Sequence, residues 1–530
     1  MCPDVIFTAG FLCYNYIIPG EYCKGRFDKF MKKFVTLFLL SSMILSMAAC
    51  GGAPAADVQD TSEADTTAAP EVDSDGNGRE FVEDSLPDDL DFGGETITIL
   101  TRVGDAAVKG EFIAEEETGD IVNDAVYARN LAVEERLNVK IETFDTDFNR
   151  HLNATPIIRQ SILAGSDDFD IVSHHLAQNV RLELEGLFVN LRALPYLDLD
   201  QPWWNQAYSE MTTHDGKQYT AIGELSQTMI SGTYAMFFNK TMFEELLPKE
   251  PSLYETVTNG DWTIDKMLSY TTQLYADLNG NAAADEGDRF GFFFCSDQSL
   301  GADAMIGGCN IQLVTKGDTD GEFVYNGSSE RTVTFFEKMT QLLFRDNNAL
   351  RTPDNNDTMV KALSEGKAMF TTWMLDAINN LRDMKDDFGI VPMPKLEATD
   401  KNYSATTHNG SSTFAIPTTC GNQDAAAALL EALSAETYRK VTPAYFEVAL
   451  KVKYSRDNET AHMLDLIVES VTPDIATVYG QLLGAPAVWF RDILIDSTAC
   501  ENAVSRLASD EVRTMNSMGN VLETYKGLEG

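Results

Sequence analysis

The stretch Gly366–Lys395 reads GKAMFTTWMLDAINNLRDMKDDFGIVPMPK. Its pattern predicts a short buried strand, a turn carrying Trp373, an amphipathic helix, and a second strand ending in Pro-Met-Pro. Helical spacing puts Met374, Ala377, Ile378, Leu381 and Met384 on one face. Asn379, Arg382, Asp383 and Asp386 fall opposite. Thr372 is the expected N-cap. Nothing here has the make-up of a catalytic centre. The stretch reads as a scaffold presenting Trp373, Thr371 and Thr372 to a cleft, where the free N–H groups of a helix start meet ligand oxygens. The alternative is a tryptophan packed between helix and sheet.

Upstream, strands alternate with helices. Thr96–Thr101 alternates β-branched and apolar residues as a strand does. Ile121–Leu137 has helical spacing, Val139–Phe144 is a second strand, Ile157–Ala164 a helix and Phe169–Val172 a buried strand. That order means parallel βαβ units in an α/β fold. Ligands of such sheets sit beyond the strand carboxyl ends. Arg102 and Asp105 after the first strand are therefore candidates. His174 and His175 occupy the same position after the third strand, but adjacent strand residues face opposite ways, and no H-E-x-x-H is present.

The N-terminal region is organised differently. Met31–Cys50, MKKFVTLFLLSSMILSMAAC, has the positive end, the short apolar core and the small residues of a secretory signal. Its Met-Ala-Ala-Cys end resembles a lipobox, which makes Cys50 the lipidated first residue and residues 31–49 the signal peptide; simple cleavage near Ala49 is the alternative. Residues 1–30 then precede the true start, expected at Met31. Residues 50–92 carry 13 acidic residues and a single basic one, Arg79, and read as a disordered linker. A body tethered by lipid to the outer face of a membrane follows.

The chain holds 82 acidic against 40 basic residues, a net charge of −42. That argues against nucleic acid and anionic lipid as partners. Cys295, Cys309, Cys420 and Cys500 show no C-x-x-C spacing; they form disulfides, with Cys295–Cys309 one pairing, or remain buried thiols. Asp277, Asn279, Asn281, Asp285 and Asp288, with the Ala283 carbonyl, fall at the positions of an oxygen-rich calcium loop. Ala282 stands where such loops carry glycine, and a polar turn is the alternative.

Several segments resemble, in order from about 94 to 505, the extracellular solute-binding proteins of bacterial ABC importers, family 1, carbohydrate type. They are Gly186-Leu187-Phe188, Leu194–Leu197, Pro202-Trp203-Trp204, Gly216–Tyr219, Tyr234–Lys240 with Phe243, Asp261-Trp262-Thr263, Gly366–Met369 with Trp373, Gly389–Pro394 and Phe414–Pro417. The resemblance implies a periplasmic-binding-protein-like type II fold. It has two discontinuous lobes, 93–222 with 409–441 and 223–408 with 442–530, and a ligand cleft at the hinge. Crossings are expected near Ile222–Thr228, His408–Thr413 and Val441–Tyr445. Closure of the lobes on a ligand is a hinge motion.

The implied function is capture of a sugar or oligosaccharide and its delivery to permease subunits, with no enzymatic activity and no cofactor beyond structural calcium. Trp373 is implied as the sugar-stacking residue. Trp204, Tyr234 and Trp489 are further aromatic candidates, and Glu224 and Gln227 lie at the first crossing. Trp262 is expected to pack at a helix start. The motif ahead of Trp373 is Phe370-Thr371-Thr372 rather than the family's common Gly-Pro-Trp. A secreted carbohydrate-active hydrolase is the rival from another class, although no G-x-S-x-G nucleophile is present. A receptor or adhesin that does not transport is a third reading.

Overall fold

The computed structural model describes residues 79, 82–103, 110–147, 151–296, 300–318, 321–352, 356–451, 458–484 and 486–528. The expected start at Met31, the signal peptide, Cys50, most of the linker and Asp105 lie outside them.

Strands among the described residues are numbered in chain order: β1 Glu95–Val103, β2 Val139–Asp147, β3 Ile171–His175, β4 Tyr234–Asn239, β5 Phe290–Cys295, β6 Val314–Lys316, β7 Phe323–Tyr325, β8 Ala349–Thr352, β9 Ala368–Met374, β10 Phe388–Val391 and β11 Ser412–Ala415. The first sheet has the order β11-β3-β1-β2 and the second β10-β4-β9-β5-β8; β6 and β7 form a separate hairpin. β1 runs parallel to β2 and β3, while β11 closes the first sheet antiparallel. In the second sheet β5, β8 and β9 are parallel, and β4 lies antiparallel between β9 and β10.

The βαβ reading of the N-terminal part holds. The helix Ile121–Leu137 starts where the Asp120 carboxylate accepts from the Val122 and Asn123 amides, and it ends at left-handed Asn138. The chain then enters β2, paired with β1 from Glu95↔Val139 to Val103↔Asp147. One core lies on a single face of the first sheet, through Ile97, Ile99, Ile171 and Phe414, and the other runs continuously from the second sheet to Leu100, Val172 and Ala415 on the first sheet's opposite face. Trp203, Trp204, Leu225 and Phe414 pack with the alanine-rich helix Gln423–Glu436 against the first sheet. Phe238, Phe243, Trp262, Tyr270 and Phe370 form an aromatic cluster on the second.

Two expectations are corrected. Trp373 lies in β9, not in a turn. The following segment is a 3-10 helix, Leu375–Leu381, capped at Met374 with no side-chain bond, so Thr372 is not an N-cap. The amphipathic pattern survives, since Ala377, Ile378, Leu381 and Met384 are buried while Asn379 and Arg382 are exposed. Second, the linker ends earlier than residue 92. Leu86 is buried in the first core, Asp84 pairs with both Arg136 and Arg439, and Arg79 is buried. An acidic segment folds here because its one arginine and Asp84 meet opposite charges supplied by the body. Of the two alternatives for the cysteines the structure has the second: Cys295, Cys309, Cys420 and Cys500 are buried thiols outside any disulfide. Burial pushes the Cys420 thiol up to about 12 and the Cys500 thiol up to about 11.

Candidate functional site

The chain passes between the sheets three times. Ala221 pairs with Phe414 beside the first sheet, and the chain then runs through 222–233 into β4 of the second. It returns from β10 through a segment in which Thr407 pairs with Thr233. It leaves again when the helix Gln423–Glu436 continues through Thr437–Val441 into Thr442–Lys451. Close approach fixes one position here. A Cβ on Gly223 would lie 2.2 Å from the Trp203 carbonyl oxygen, so only glycine fits.

The parallel strands of both sheets aim their carboxyl ends at these crossings. At the end of β1, Arg102 Nη2 donates to the Gly410 carbonyl at 2.9 Å and to Ser412 Oγ at 2.8 Å. At the end of β9, the Leu375 amide donates to the Thr233 carbonyl at 3.0 Å. Between them lies a buried polar network. Glu111 Oε1 accepts from the Thr228 amide at 3.0 Å and from Thr228 Oγ1 at 2.6 Å. Thr228 Oγ1 in turn accepts from the Ser412 amide at 3.0 Å. Burial raises the Glu111 pKa, and the Thr228 bonds and the Arg102 charge oppose it.

On the second sheet, Tyr234 opens β4 opposite Met374. Three buried polar atoms lie at this end of the β4–β9 pair: Tyr234 Oη and Thr372 Oγ1 on one face, and Trp373 Nε1 on the other. None has a hydrogen-bond partner among the described residues. Buried groups of this kind are normally satisfied, so they call for a water or a ligand oxygen. Burial, then the charge of Asp303, raises the Tyr234 pKa well above its ordinary value. Asp303 itself takes a bidentate pair from Arg491, Nε at 2.9 Å and Nη2 at 2.7 Å. A cavity of about 40 Å³ beside the second crossing is lined by residues including Asp303, Thr406, Thr407, Asn409 and Asp474. Larger grooves, of about 590 and 530 Å³, include neither Tyr234, Trp373 nor Arg102 in their linings.

The candidate residues from the sequence fall into separate places. The β4–β9 register puts Thr371 and Trp373 on one face of the sheet and Tyr234 and Thr372 on the other. Thr371 Oγ1 donates to the Phe293 carbonyl. Trp204 is buried in the first core, its Nε1 donating to Glu431 Oε2 at 3.1 Å, and Trp203 is buried beside it. Trp489 is half-buried, with the Arg513 guanidinium over its ring at 4.5 Å. Glu224 is paired with Arg79, and Gln227 donates to the Gly110 carbonyl. Trp262 packs at a helix start as expected, its Nε1 donating to the Pro392 carbonyl.

The loop 277–288 satisfies its own side chains. Asp285 accepts from both Asn279 and Asn281, Asp277 accepts from the Gly280 and Ala282 amides, and Asp288 accepts from the Leu278 amide. Among the described residues no group of three or more His, Cys, Asp or Glu is placed to hold a metal. His174 instead meets Thr155 Oγ1 through Nε2 at 3.1 Å. Sequence reasoning missed Glu111, Thr228, Ser412 and Asp303. Their roles depend on contacts between residues 117 to 188 positions apart, and no local pattern marks them.

A family model described as bacterial extracellular solute-binding protein matches residues 153–442. The chain belongs to the bacterial extracellular solute-binding proteins. Its fold is similar to two solved binding proteins. One is a cyclo/maltodextrin-binding protein complexed with maltotetraose, at 11% identity and a TM-score of 0.53, covering 79% of this chain and 96% of that one. The other is the maltose-binding periplasmic protein MalE from Listeria monocytogenes in complex with maltose, at 16% identity and a TM-score of 0.51, covering 80% and 97%. No curated protein matches in sequence. The two sheets of this solute-binding protein are thus the two lobes of that fold. Among the described residues no helix is long and apolar enough to cross a membrane.

Proposed function

We propose that this solute-binding protein is the capture component of an ABC importer for a neutral sugar or oligosaccharide. Lipid on Cys50 tethers it to the outer face of the cell membrane. The cleft lies between the lobes 93–222 with 409–441 and 223–408 with 442–530, and closing on the solute presents a surface to the permease subunits. The observation that carries the reading is that strand carboxyl ends of both sheets meet the same crossing segments. The orphaned Tyr234, Thr372 and Trp373 atoms support a ligand rich in hydroxyls, and the two similar structures are complexes with maltotetraose and with maltose. The protein binds and releases its solute unchanged.

Thermal unfolding of the mature protein against neutral oligosaccharides, peptides and amino acids tests this. A ligand at 100 times its Kd adds about 2.7 kcal/mol of stability. The expected result is a raised midpoint with an oligosaccharide that is recovered intact. A shift only with peptides would overturn the sugar assignment, and cleaved sugar would make the protein a hydrolase.

A structural calcium in the loop 277–288 is a further part of the proposal. Asp277, Asn279, Asn281, Asp285 and Asp288 supply side-chain oxygens and Ala283 a carbonyl. The supporting observation is Ala282, which takes φ +62°, the left-handed turn that glycine makes in such loops. Calcium is expected to raise the melting midpoint above that in chelator. Coincident midpoints would leave the loop a self-satisfied polar turn.

A further inference from the structure

The one basic residue of the acidic N-terminal segment is placed where the lobes join. The side chain of Arg79 is 4% exposed and that of Glu224 is 9% exposed. Arg79 Nη1 donates to both Glu224 oxygens at 2.8 Å. Its guanidinium lies 4.4 Å from the ring centre of Tyr438 and 5.9 Å from that of Phe446. Its Nη2 reaches Asp465 Oδ1 at 4.0 Å.

These partners belong to different parts of the molecule. Glu224 sits on the first crossing, its amide held by the Trp203 carbonyl. Tyr438 and Phe446 sit on the third crossing. Asp465 lies on the helix Asn458–Glu469, which packs against β10 of the second sheet and bonds Tyr254 through Thr460. Just downstream the same segment is fixed to the first lobe. The Val82 amide donates to the Arg79 carbonyl, Arg439 donates to the Val82 carbonyl and to Asp84, and Arg136 holds Asp84 from the helix Ile121–Leu137. One short stretch therefore grips the first lobe with Asp84 and reaches both crossings and the second lobe with Arg79.

We propose that Arg79 is an interlobe strap: a side chain of the N-terminal segment that sets the opening of the hinge by bridging Glu224, Tyr438 and Asp465. A hinge rotation moves the helix Asn458–Glu469 relative to the helix Ile121–Leu137, so it must stretch or break the Asp465 arm. That arm is already at 4.0 Å, while the Glu224 pair is tight. Glu224 and the two rings thus form the fixed seat, and Asp465 the element that changes with lobe angle. The position of the N-terminal segment and the angle between lobes are then linked, each biasing the other.

The test compares the full mature chain with Asp465→Asn and with Arg79→Ala/Glu224→Gln, by small-angle scattering and by hydrogen exchange. The double variant avoids leaving a buried carboxylate unpaired. Asp465→Asn keeps the seat intact and carries the test if the double variant does not fold. Exchange in 222–233 and 405–412 is expected to rise roughly two- to fivefold in Asp465→Asn, as for loss of a partly exposed ion pair. It is expected to rise further in the double variant, with a changed scattering profile in both. Unchanged exchange at the crossings and unchanged scattering, with only a lowered melting midpoint, would reduce Arg79 to an anchor. No solute enters the experiment, so its outcome is independent of what the cleft binds.

Discussion

Trp373→Ala is expected to lose about 3–5 kcal/mol of stability, whereas Trp373→Phe is expected to fold nearly as the parent does and to bind solute about tenfold more weakly. The indole is 4% exposed at the end of β9, paired across to Ala235. Removing it leaves a large cavity beside the hinge end of the second sheet, which close packing cannot collapse around. A binding loss in the alanine variant would therefore say little about contact with solute. Phenylalanine keeps a ring in the cavity and deletes only the Nε1–H. That group has no hydrogen-bond partner among the described residues, so deleting it removes a buried unsatisfied donor rather than a bond. If a solute hydroxyl completes it, the loss appears in affinity alone. Denaturant melts and calorimetric titration of both variants separate the two effects. Parental affinity in Trp373→Phe would place the indole in the lobe core and leave Tyr234 and Thr372, on the opposite face of the sheet, as the ligand-facing groups.

What could be read from the sequence was what local pattern encodes. Alternation in Thr96–Thr101 and helical spacing in Ile121–Leu137 each name a periodicity and hence an element, and β-α-β order names a parallel sheet. The ordered run of weak motifs puts the segments Tyr234–Lys240, Gly366–Met369 and Gly389–Pro394 in one lobe, and the structure pairs their strands β4, β9 and β10 in one sheet. Burial partners carry no such signature. Trp204 has the polar loop context of a cleft residue, yet its Nε1 bonds to Glu431, 227 positions away. Glu224 has the character of a ligand-binding carboxylate, yet it is neutralised by Arg79, 145 positions upstream in a segment whose composition argues for disorder. The one arginine among 13 acidic residues was the visible clue that this segment has a fixed end. Periodicity alone also gave Trp373 and Thr372 a common destination. The antiparallel register of β4 against β9 sends them to opposite faces, and register is a property of two strands.

Stability is expected to fall by several kcal/mol as pH rises from about 4.5 to about 7, and Glu183→Gln is expected to recover about 3 kcal/mol of that loss. Glu183 ends the helix Leu176–Glu183 on the first lobe, and burial pushes its carboxyl up to about 7, against the hydrogen bonds from Tyr525 and Thr220. Tyr525 lies near the end of the C-terminal helix Ala503–Gly527 and bonds Tyr479 Oη at 2.9 Å. Tyr479 in turn meets His214 Nε2 at 3.3 Å, and the His214 ring lies 4.3 Å from that of Tyr525. The neighbours turned toward Glu183 are thus the hydroxyls of Tyr525 and Thr220, with Tyr208, Tyr219 and Tyr479 around them. A carboxyl with a raised folded pKa gives its full stabilisation below its unfolded value, here near 4.5, and loses it as pH climbs through the folded value. Glu431 and Asp474, each raised to about 7 by burial, add to the same slope. Asp84 works the other way. Burial pushes it up, but Arg136 and Arg439 outweigh that and hold it at about 2, so its contribution is lost only in stronger acid. Self-repulsion among 82 acidic residues reinforces the decline toward neutral pH. Glutamine keeps the shape of Glu183 without the charge. Its advantage over the parent is therefore expected near pH 8 and absent near pH 4. Urea melts across that range decide it: a flat profile between pH 4.5 and 7, or an equal loss in Glu183→Gln at both extremes, would mean that the C-terminal helix is held to the first lobe by packing and not by a proton on Glu183.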